Sequence, residues 1–329
     1  MNYFRQNKKN RYLIYLFLFF LFTNCSVSKK EGPPEAPDGY WNMTTLKMAY
    51  VLGAIDQIET EFPVPENIIE HIDIVYKTID STRLKIDIYH LDNITKKKPL
   101  LLFIHGGGLS KGDKRDYLRY TIDFAQKGYI TASVQYRFVD KAKFPAQLFE
   151  IKAAIRWLKE NADKYHIDKN KIALIGGSAG GHLAMMAGYT SDIEEFNEEN
   201  DSLISYKVQA VVDLYGPADF TTKYAREHSI SKNMFGKTWE ESPEIYKKSS
   251  PVKFISKDDP PTLIFHGTID DLVPVSQSDS LEMILKKAGV PVEYHKLKGW
   301  PHTMDIEVNV NKYCQYYMEA FFKKYIPKN

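Results

Sequence analysis

Five consecutive residues, Gly176-Gly177-Ser178-Ala179-Gly180, constrain this chain more than any other feature. They follow an apolar run at 172–175 and lead into a stretch of helical character at 179–188. A serine between small residues at a strand-to-helix junction predicts a sharp, strained turn that pushes the hydroxyl out of the sheet. Small neighbours let the strand and helix backbones approach closely. The helix N-terminus beneath adds positive potential and N–H groups. A glycine-rich turn could also cradle a phosphate, or nothing; the strand before it and the helix after it favour a nucleophile.

The surrounding pattern supplies the sheet that such a turn needs. From about residue 70, Ile72, Ile74 and Tyr76 alternate with His71 and Asp73, and Leu84, Ile86 and Ile88 alternate with Lys85 and Asp87. Two half-buried antiparallel strands fit that alternation. Short apolar runs follow at 100–104, 130–134, 172–175, 210–214 and 262–265, with a weaker one at 292–295. Runs of this kind read as strands buried on both faces, as in a parallel sheet. Helical stretches alternate with them at 117–127, 146–165, 179–188, 277–288 and 307–325. The clearest, 146–165, carries Leu148, Ile151, Ile155, Leu158, Ala162 and Tyr165 on one stripe. The expectation is an α/β fold, a doubly wound and mostly parallel sheet of about eight strands flanked by helices. Segments 190–206 and 221–250 are polar and irregular, placed where extra loops could cover a site.

A second motif, His105-Gly106-Gly107-Gly108, directly follows the run at 100–104. Acyl transfer develops an oxyanion, and backbone N–H groups must already point at it; glycines leave the backbone bare enough to take that shape. A serine nucleophile also needs a base, and the base an orienting acid. After Ser178 the histidines are His182, His228, His266, His295 and His302. His182 falls on the helix after the turn, His228 in a polar insertion, His266 at a strand end and His295 in the last strand. His302 falls in a loop after the last strand, where a sheet of this type carries its site residues, and is the candidate base. The acid comes from the run after 262–265, where Asp270 and Asp271 are adjacent; Asp213 and Asp219 are the fallback candidates.

With these residues placed, the chain resembles the hormone-sensitive-lipase-like and feruloyl-esterase-like branch of the α/β hydrolases. The likeness covers about residues 70–325 and includes Lys111-Gly112-Asp113-Lys114, Ser133-Val134-Gln135-Tyr136-Arg137, Phe144-Pro145-Ala146-Gln147, Gly181-His182 after the elbow, Tyr215-Gly216-Pro217 and Asp258-Asp259-Pro260-Pro261. The resemblance implies Asp270 as the acid, because it matches the pattern His-Gly-x-x-Asp-x-x-Val-Pro. It implies the N–H groups of Gly107, Gly108 and Ala179 as the oxyanion hole. It also implies a serine esterase acting through an acyl-enzyme without metal or cofactor, on short acyl, acetyl or feruloyl esters. Formamide cleavage or peptide cleavage by the same fold are the neighbouring chemistries, and a catalytically dead binding module is the reading from another class. Leu109 stands where an aromatic residue often follows the glycines, which bears on the acyl pocket.

The N-terminus carries a different signal. Arg5, Lys8, Lys9 and Arg11 precede an apolar run at 12–22, and Cys25 follows shortly after. A run of that length suits a signal-peptide core rather than a membrane span. The expected organisation is a lipoprotein-type signal at 1–25 with Cys25 as lipid anchor, a proline-rich tether and helix (43–60) within 26–65, and a catalytic domain at 66–329. That places the domain outside the cytoplasm, where a carbohydrate-linked ester is the expected substrate. Cys314, on a helical apolar stripe, reads as a packing residue. A net charge of +2 gives no reason to expect nucleic acid, and no His/Cys/Asp cluster has metal-ligand spacing. Oligomeric state is left open.

Overall fold

An antiparallel hairpin, β1 (Ile68–Ile79) and β2 (Thr82–Leu91), opens the domain, followed by β3 (Lys98–Ile104), β4 (Ile130–Val134), β5 (Ile167–Gly177), β6 (Ala210–Leu214), β7 (Thr262–Gly267) and β8 (Val292–Leu297). These come from a computed structural model that describes residues 32–197 and 204–328. The signal-like segment with Cys25 and the middle of the 190–206 stretch lie outside the described residues. The strands form one sheet of order β1-β2-β4-β3-β5-β6-β7-β8. β2 pairs antiparallel with β1 and β4, and all pairings from β4 through β3 to β8 are parallel.

The helices are α1 (Met43–Val51), α2 (Leu118–Gln126), α3 (Ala146–Glu160), α4 (Ala179–Tyr189), α5 (Lys223–Glu227), α6 (Ser229–Phe235), α7 (Pro243–Lys248), α8 (Ser276–Ala288) and α9 (Val308–Tyr325). Alternation along the strands divides the core in two. Leu100, Leu102, Ile104, Ile172 and Leu174 face a cluster built with α3, α4 and α8. Leu101, Phe103, Ala173 and Ile175 face the opposite cluster, built with α2 and α9. Both faces of the parallel strands are therefore dry, which is why these strands read as continuous apolar runs. Cys314 is fully buried on α9.

Four local expectations come out differently. Ile72 is exposed, because the register shifts between His71 and Ile74 and Asp73 takes a positive φ of 58°. That bulge turns the Asp73 N–H onto Asp87 Oδ1 at 2.7 Å and moves Ile72 off the inner face. Helix is confined to α1 rather than reaching residue 60; Asn42 caps it with a reciprocal capping box, and Gly53, at φ 70°, follows its end. The proline-rich segment is not free throughout its length. Tyr40 N–H donates to Gly299 O at 2.8 Å, and Trp300 Nε1–H donates to Pro37 O at 2.9 Å. Finally, 221–250 folds into α5, α6 and α7 rather than loops.

Leu102 has no exposed surface and sits mid-sheet. Leu102→Ala should cost about 2–5 kcal/mol in urea unfolding, whereas Met283→Ala, at a position 63 % exposed, should stay within about 0.5 kcal/mol. Equal shifts for both would contradict this placement of the core.

Candidate active site

The site is assembled from loops that leave the carboxyl ends of β3, β5, β6, β7 and β8, as expected for a parallel sheet. Its backbone is strained. Of the seven non-glycine residues with positive φ among the described residues, four belong to these loops: Leu109 (56°), Ser178 (56°), Tyr215 (48°) and Thr303 (55°). Such conformations cost about 1–3 kcal/mol each and persist only where their surroundings over-determine them. At Ser178 the determinants are visible. Its N–H donates to Leu214 O at 2.8 Å, and its carbonyl accepts from His182 N–H at 3.0 Å. A Cβ on Gly176 would lie 2.2 Å from Gly180 O, and one on Gly180 would lie 2.0 Å from Ile104 O. The glycines thus let α4 start in direct backbone contact with both β5 and β3.

Ser178 Oγ lies 2.9 Å from His302 Nε2, and His302 Nδ1 lies 2.7 Å from Asp270 Oδ2. A carboxylate acceptor at Nδ1 holds the ring proton there and leaves Nε2 to accept the serine proton. Asp270 is anchored in turn. Its Oδ1 accepts from the N–H groups of Leu272 (2.9 Å) and Val273 (2.8 Å), and its Oδ2 also faces His266 Nε2 at 3.1 Å. Burial alone would raise the Asp270 pKa, but the hydrogen bonds from His266, His302 and the Val273 backbone outweigh it and hold the carboxyl well below its usual value. His266 is fixed from its other side by Ser278 Oγ, 2.7 Å from Nδ1. The sequence places His266 at a strand end and gives no sign that it bonds the Asp270 carboxylate, a contact set by the fold of the turn between them.

Of the other candidates, Asp271 is exposed, and Asp219 binds its own loop through Thr221. Asp213 is fully buried behind the elbow, where Oδ1 accepts from Gly216 N–H at 2.9 Å and burial drives its pKa up. His182 bonds Ser249 O at 2.8 Å, with its pKa lowered to about 4 by burial. His295 bonds the Tyr313 hydroxyl at 2.8 Å. His228 accepts from Ile230 N–H.

The glycine loop packs straight onto the elbow: a Cβ on Gly106 would sit 2.8 Å from Gly177 O. Gly107 and Gly108 take positive φ, 93° and 61°. The loop is held from behind by Tyr136, whose ring stacks on His105 at 4.3 Å and whose hydroxyl donates to His105 O at 2.7 Å. Lys114, from the motif after the glycines, pairs with Asp87 at 2.7 Å and Asp73 at 3.1 Å, tying the loop to β1 and β2. Leu109 is wholly buried in the core cluster, so its departure from an aromatic residue changes packing and not the cavity wall.

Gly107, Gly108, Ser178, Ala179 and His302 open together onto a cavity of about 570 Å³. One wall comes from α5 and α6, with Tyr224, Ile230 and Met234, beside Phe220. Another holds Tyr117, Tyr215 and Asp305; the Tyr215 hydroxyl donates to Asp305 Oδ1 at 2.5 Å, and its ring lies 4.6 Å from that of His302. Burial raises the Asp305 pKa. Ile58 and Thr60 complete the rim. They arrive on an N-terminal arm, residues 37–60, that brackets the His302 loop: Pro37 and Tyr40 bind at 299–300, while Ile58 N–H donates to Ile306 O and Val308 N–H to Asp56 O, both at 2.9 Å. Sequence patterning missed this arm, because its contacts are mainly backbone pairs across most of the chain.

A sheet of this order with a serine elbow and glycine loop defines an α/β hydrolase, and comparison with known proteins places the chain among the carboxylic ester hydrolases of that fold. Residues 86–285 match the BD-FAE family model, and the chain belongs to that family. Among curated relatives, the esterase LipC of Mycobacterium tuberculosis is 28% identical over 270 residues, covering 76% of this chain and 67% of LipC. The probable carboxylic ester hydrolase LipM of the same organism is 33% identical over 227 residues, covering 65% of this chain and 51% of LipM. The chain thus spans from about half to two thirds of these relatives. A truncated carbohydrate esterase from gut microbiota superposes with TM-score 0.66 at 26% identity, covering 78% of this chain and 95% of that one. Thermogutta terrifontis esterase 2 with propionate bound gives TM-score 0.69 at 26% identity, covering 80% and 98%.

The depressed Asp270 pKa has a pH consequence. Unfolded, this carboxyl titrates near about 3.9, so the unfolded chain binds more protons there than the native one. The stability it contributes is complete above about pH 4 and is lost as pH falls toward the native value. Asp270→Asn should therefore flatten the acid side of the stability curve, measured by urea unfolding from neutral pH down to the acid limit of the fold; parallel curves for variant and wild type would contradict the assignment.

Proposed function

We propose that the protein is a serine carboxylic ester hydrolase that uses Ser178, His302 and Asp270, with the N–H groups of Gly107, Gly108 and Ala179 as oxyanion hole. The observation that carries this reading is the unbroken contact from Ser178 Oγ through His302, both facing the cavity, to the buried Asp270 behind them. His302 Nε2 takes the Ser178 proton as Oγ bonds the ester carbonyl carbon, and the carbonyl oxygen becomes the oxyanion held by the three N–H groups. The oxyanion collapses, the ester C–O bond breaks, and the alcohol leaves with the proton from His302. Water then repeats the sequence on the acyl-enzyme, passing a proton to His302 and releasing the acid and Ser178.

The substrate reading is a short acyl, acetyl or feruloyl group on a carbohydrate alcohol. A cavity of about 570 Å³ with Phe220, Tyr224, Ile230 and Met234 on one wall suits a compact or aromatic acyl group. The likeness to a carbohydrate esterase and to an esterase captured with propionate or butyrate supports the same range. Export and lipid anchoring at Cys25 complete the proposal, on the strength of the basic and apolar N-terminal sequence.

Hydrolysis of p-nitrophenyl acetate, butyrate and octanoate tests it. Acetate and butyrate should turn over faster than octanoate, and Ser178→Ala should lower kcat by a factor on the order of 10⁶. A folded wild-type protein that hydrolyses none of the three would sink the reading. Asp270→Asn should lower kcat by about 10⁴.

A further inference from the structure

Eleven large apolar residues are exposed among the described residues, and five of them crowd into one short stretch: Trp41 (89 %), Met48, Tyr50, Val51 (82 %) and Leu52 (78 %). That stretch is α1 and its flanks. α1 fully buries none of its residues; Met43, Leu46 and Ala49 form a half-buried stripe, and the rest of the helix faces outward. A helix of nine residues is too short to be stable alone in water, even with the reciprocal Asn42 cap. Both ends are nevertheless held, because Pro37 and Tyr40 bind at 299–300 and Asp56 and Ile58 bind at 306–308. Between Asp38 and Asp56 the only charged residue is Lys47, in a chain that is otherwise 26% charged. α1 is thus presented from the rim of the active site as an apolar, weakly cationic projection carrying Trp and Tyr.

We propose that α1 docks on a lipid bilayer, with Trp41, Tyr50, Val51 and Leu52 inserted at the headgroup–acyl boundary and Lys47 among anionic headgroups. Trp and Tyr sit at the boundary between headgroups and acyl chains, Val51 and Leu52 are apolar enough to enter it, and Lys47 is a cation for the headgroups. Position in the chain argues for the same occupant, since Cys25 stands sixteen places upstream of Trp41; the proposal rests on the reading of Cys25 as a lipid anchor. An anchored Cys25 would hold the sixteen-residue segment at the bilayer, so the nearest exposed apolar residues of the domain, Trp41 onward, are the ones kept within reach of the headgroups. Ile58, seven residues beyond the end of α1, pairs with the exposed Ile306 on the cavity rim, so docking of α1 tethers that rim near the membrane surface.

The test uses the processed chain that begins at lipidated Cys25, purified from the membranes of a bacterial host and reconstituted in vesicles of phosphatidylcholine and phosphatidylglycerol. The phosphatidylcholine is either ordinary or brominated on its acyl chains, and bromine quenches tryptophan only on contact. The chain has four tryptophans, Trp41, Trp157, Trp239 and Trp300. Brominated lipid should quench part of the emission, and Trp41→Phe should remove that quenched part. The double variant Val51→Glu, Leu52→Glu should also lose it while hydrolysing p-nitrophenyl acetate like the wild type. A chain that floats with the vesicles but shows the same lipid quenching with and without Trp41 overturns the docking and leaves the anchor intact. A chain that does not float overturns both. Trp41 shielded from aqueous iodide yet untouched by brominated lipid means that protein covers this face, either residues of the same chain or a second copy, and also overturns the proposal.

Discussion

Backbone contact between the start of α4 and the ends of β3 and β5 is the constraint on which the rest of the molecule depends. Gly176 and Gly180 touch with no room for a side chain, and Gly180 also meets Ile104 of β3. Between those contacts Ser178 takes its positive φ of 56°. The same contacts fix the first turn of α4 beside the glycine loop that leaves β3, so that serine and candidate oxyanion donors share one rigid corner. The two core clusters stabilise the sheet, but this corner decides where the hydroxyl points. The strain is local and is offset by the buried strands on either side, in keeping with the concentration of positive-φ residues at the same edge.

Much of this was legible in the sequence, and the reason is periodicity. The central strands appear as apolar runs because both faces are buried, and Ser178, His302 and Asp270 lie in loops that such strands must end in. The glycine motifs were legible for a related reason: close backbone approach leaves few alternatives to glycine. What escaped was governed by long-range backbone pairing or by a single inserted residue. Ile72 obeys the alternation rule on paper, yet the bulge at Asp73 turns it outward. The 43–60 stretch has helical composition throughout, but its second half binds the 306–308 backbone, which no residue pattern encodes. The short helices of 221–250 carry their apolar residues toward a cavity and toward one another, so their overall polarity hid them.

The support behind Asp270 follows a similar logic. Two histidines converge on one carboxylate oxygen, His302 from the loop after β8 and His266 from the end of β7. Only one of them also reaches the serine. His266 is held by Ser278 and by Val273 O, at 2.9 Å, and is fully buried, so it positions the Asp270 carboxylate. The Tyr136 hydroxyl does the equivalent for the glycine loop through His105 O. The site is therefore backed on both flanks by groups that never face the cavity.

The arm that brackets the His302 loop joins residues made first to residues made last: Pro37 and Trp300 are 263 positions apart. Synthesis runs from the N-terminus, so a growing chain can complete the serine corner long before the loop bearing His302 exists. The arm has nothing to bind until that loop has formed around Gly299. Closure of the site thus waits on the loop around Gly299, and a product truncated before it would carry a well-formed Ser178 corner with neither His302 nor a finished rim.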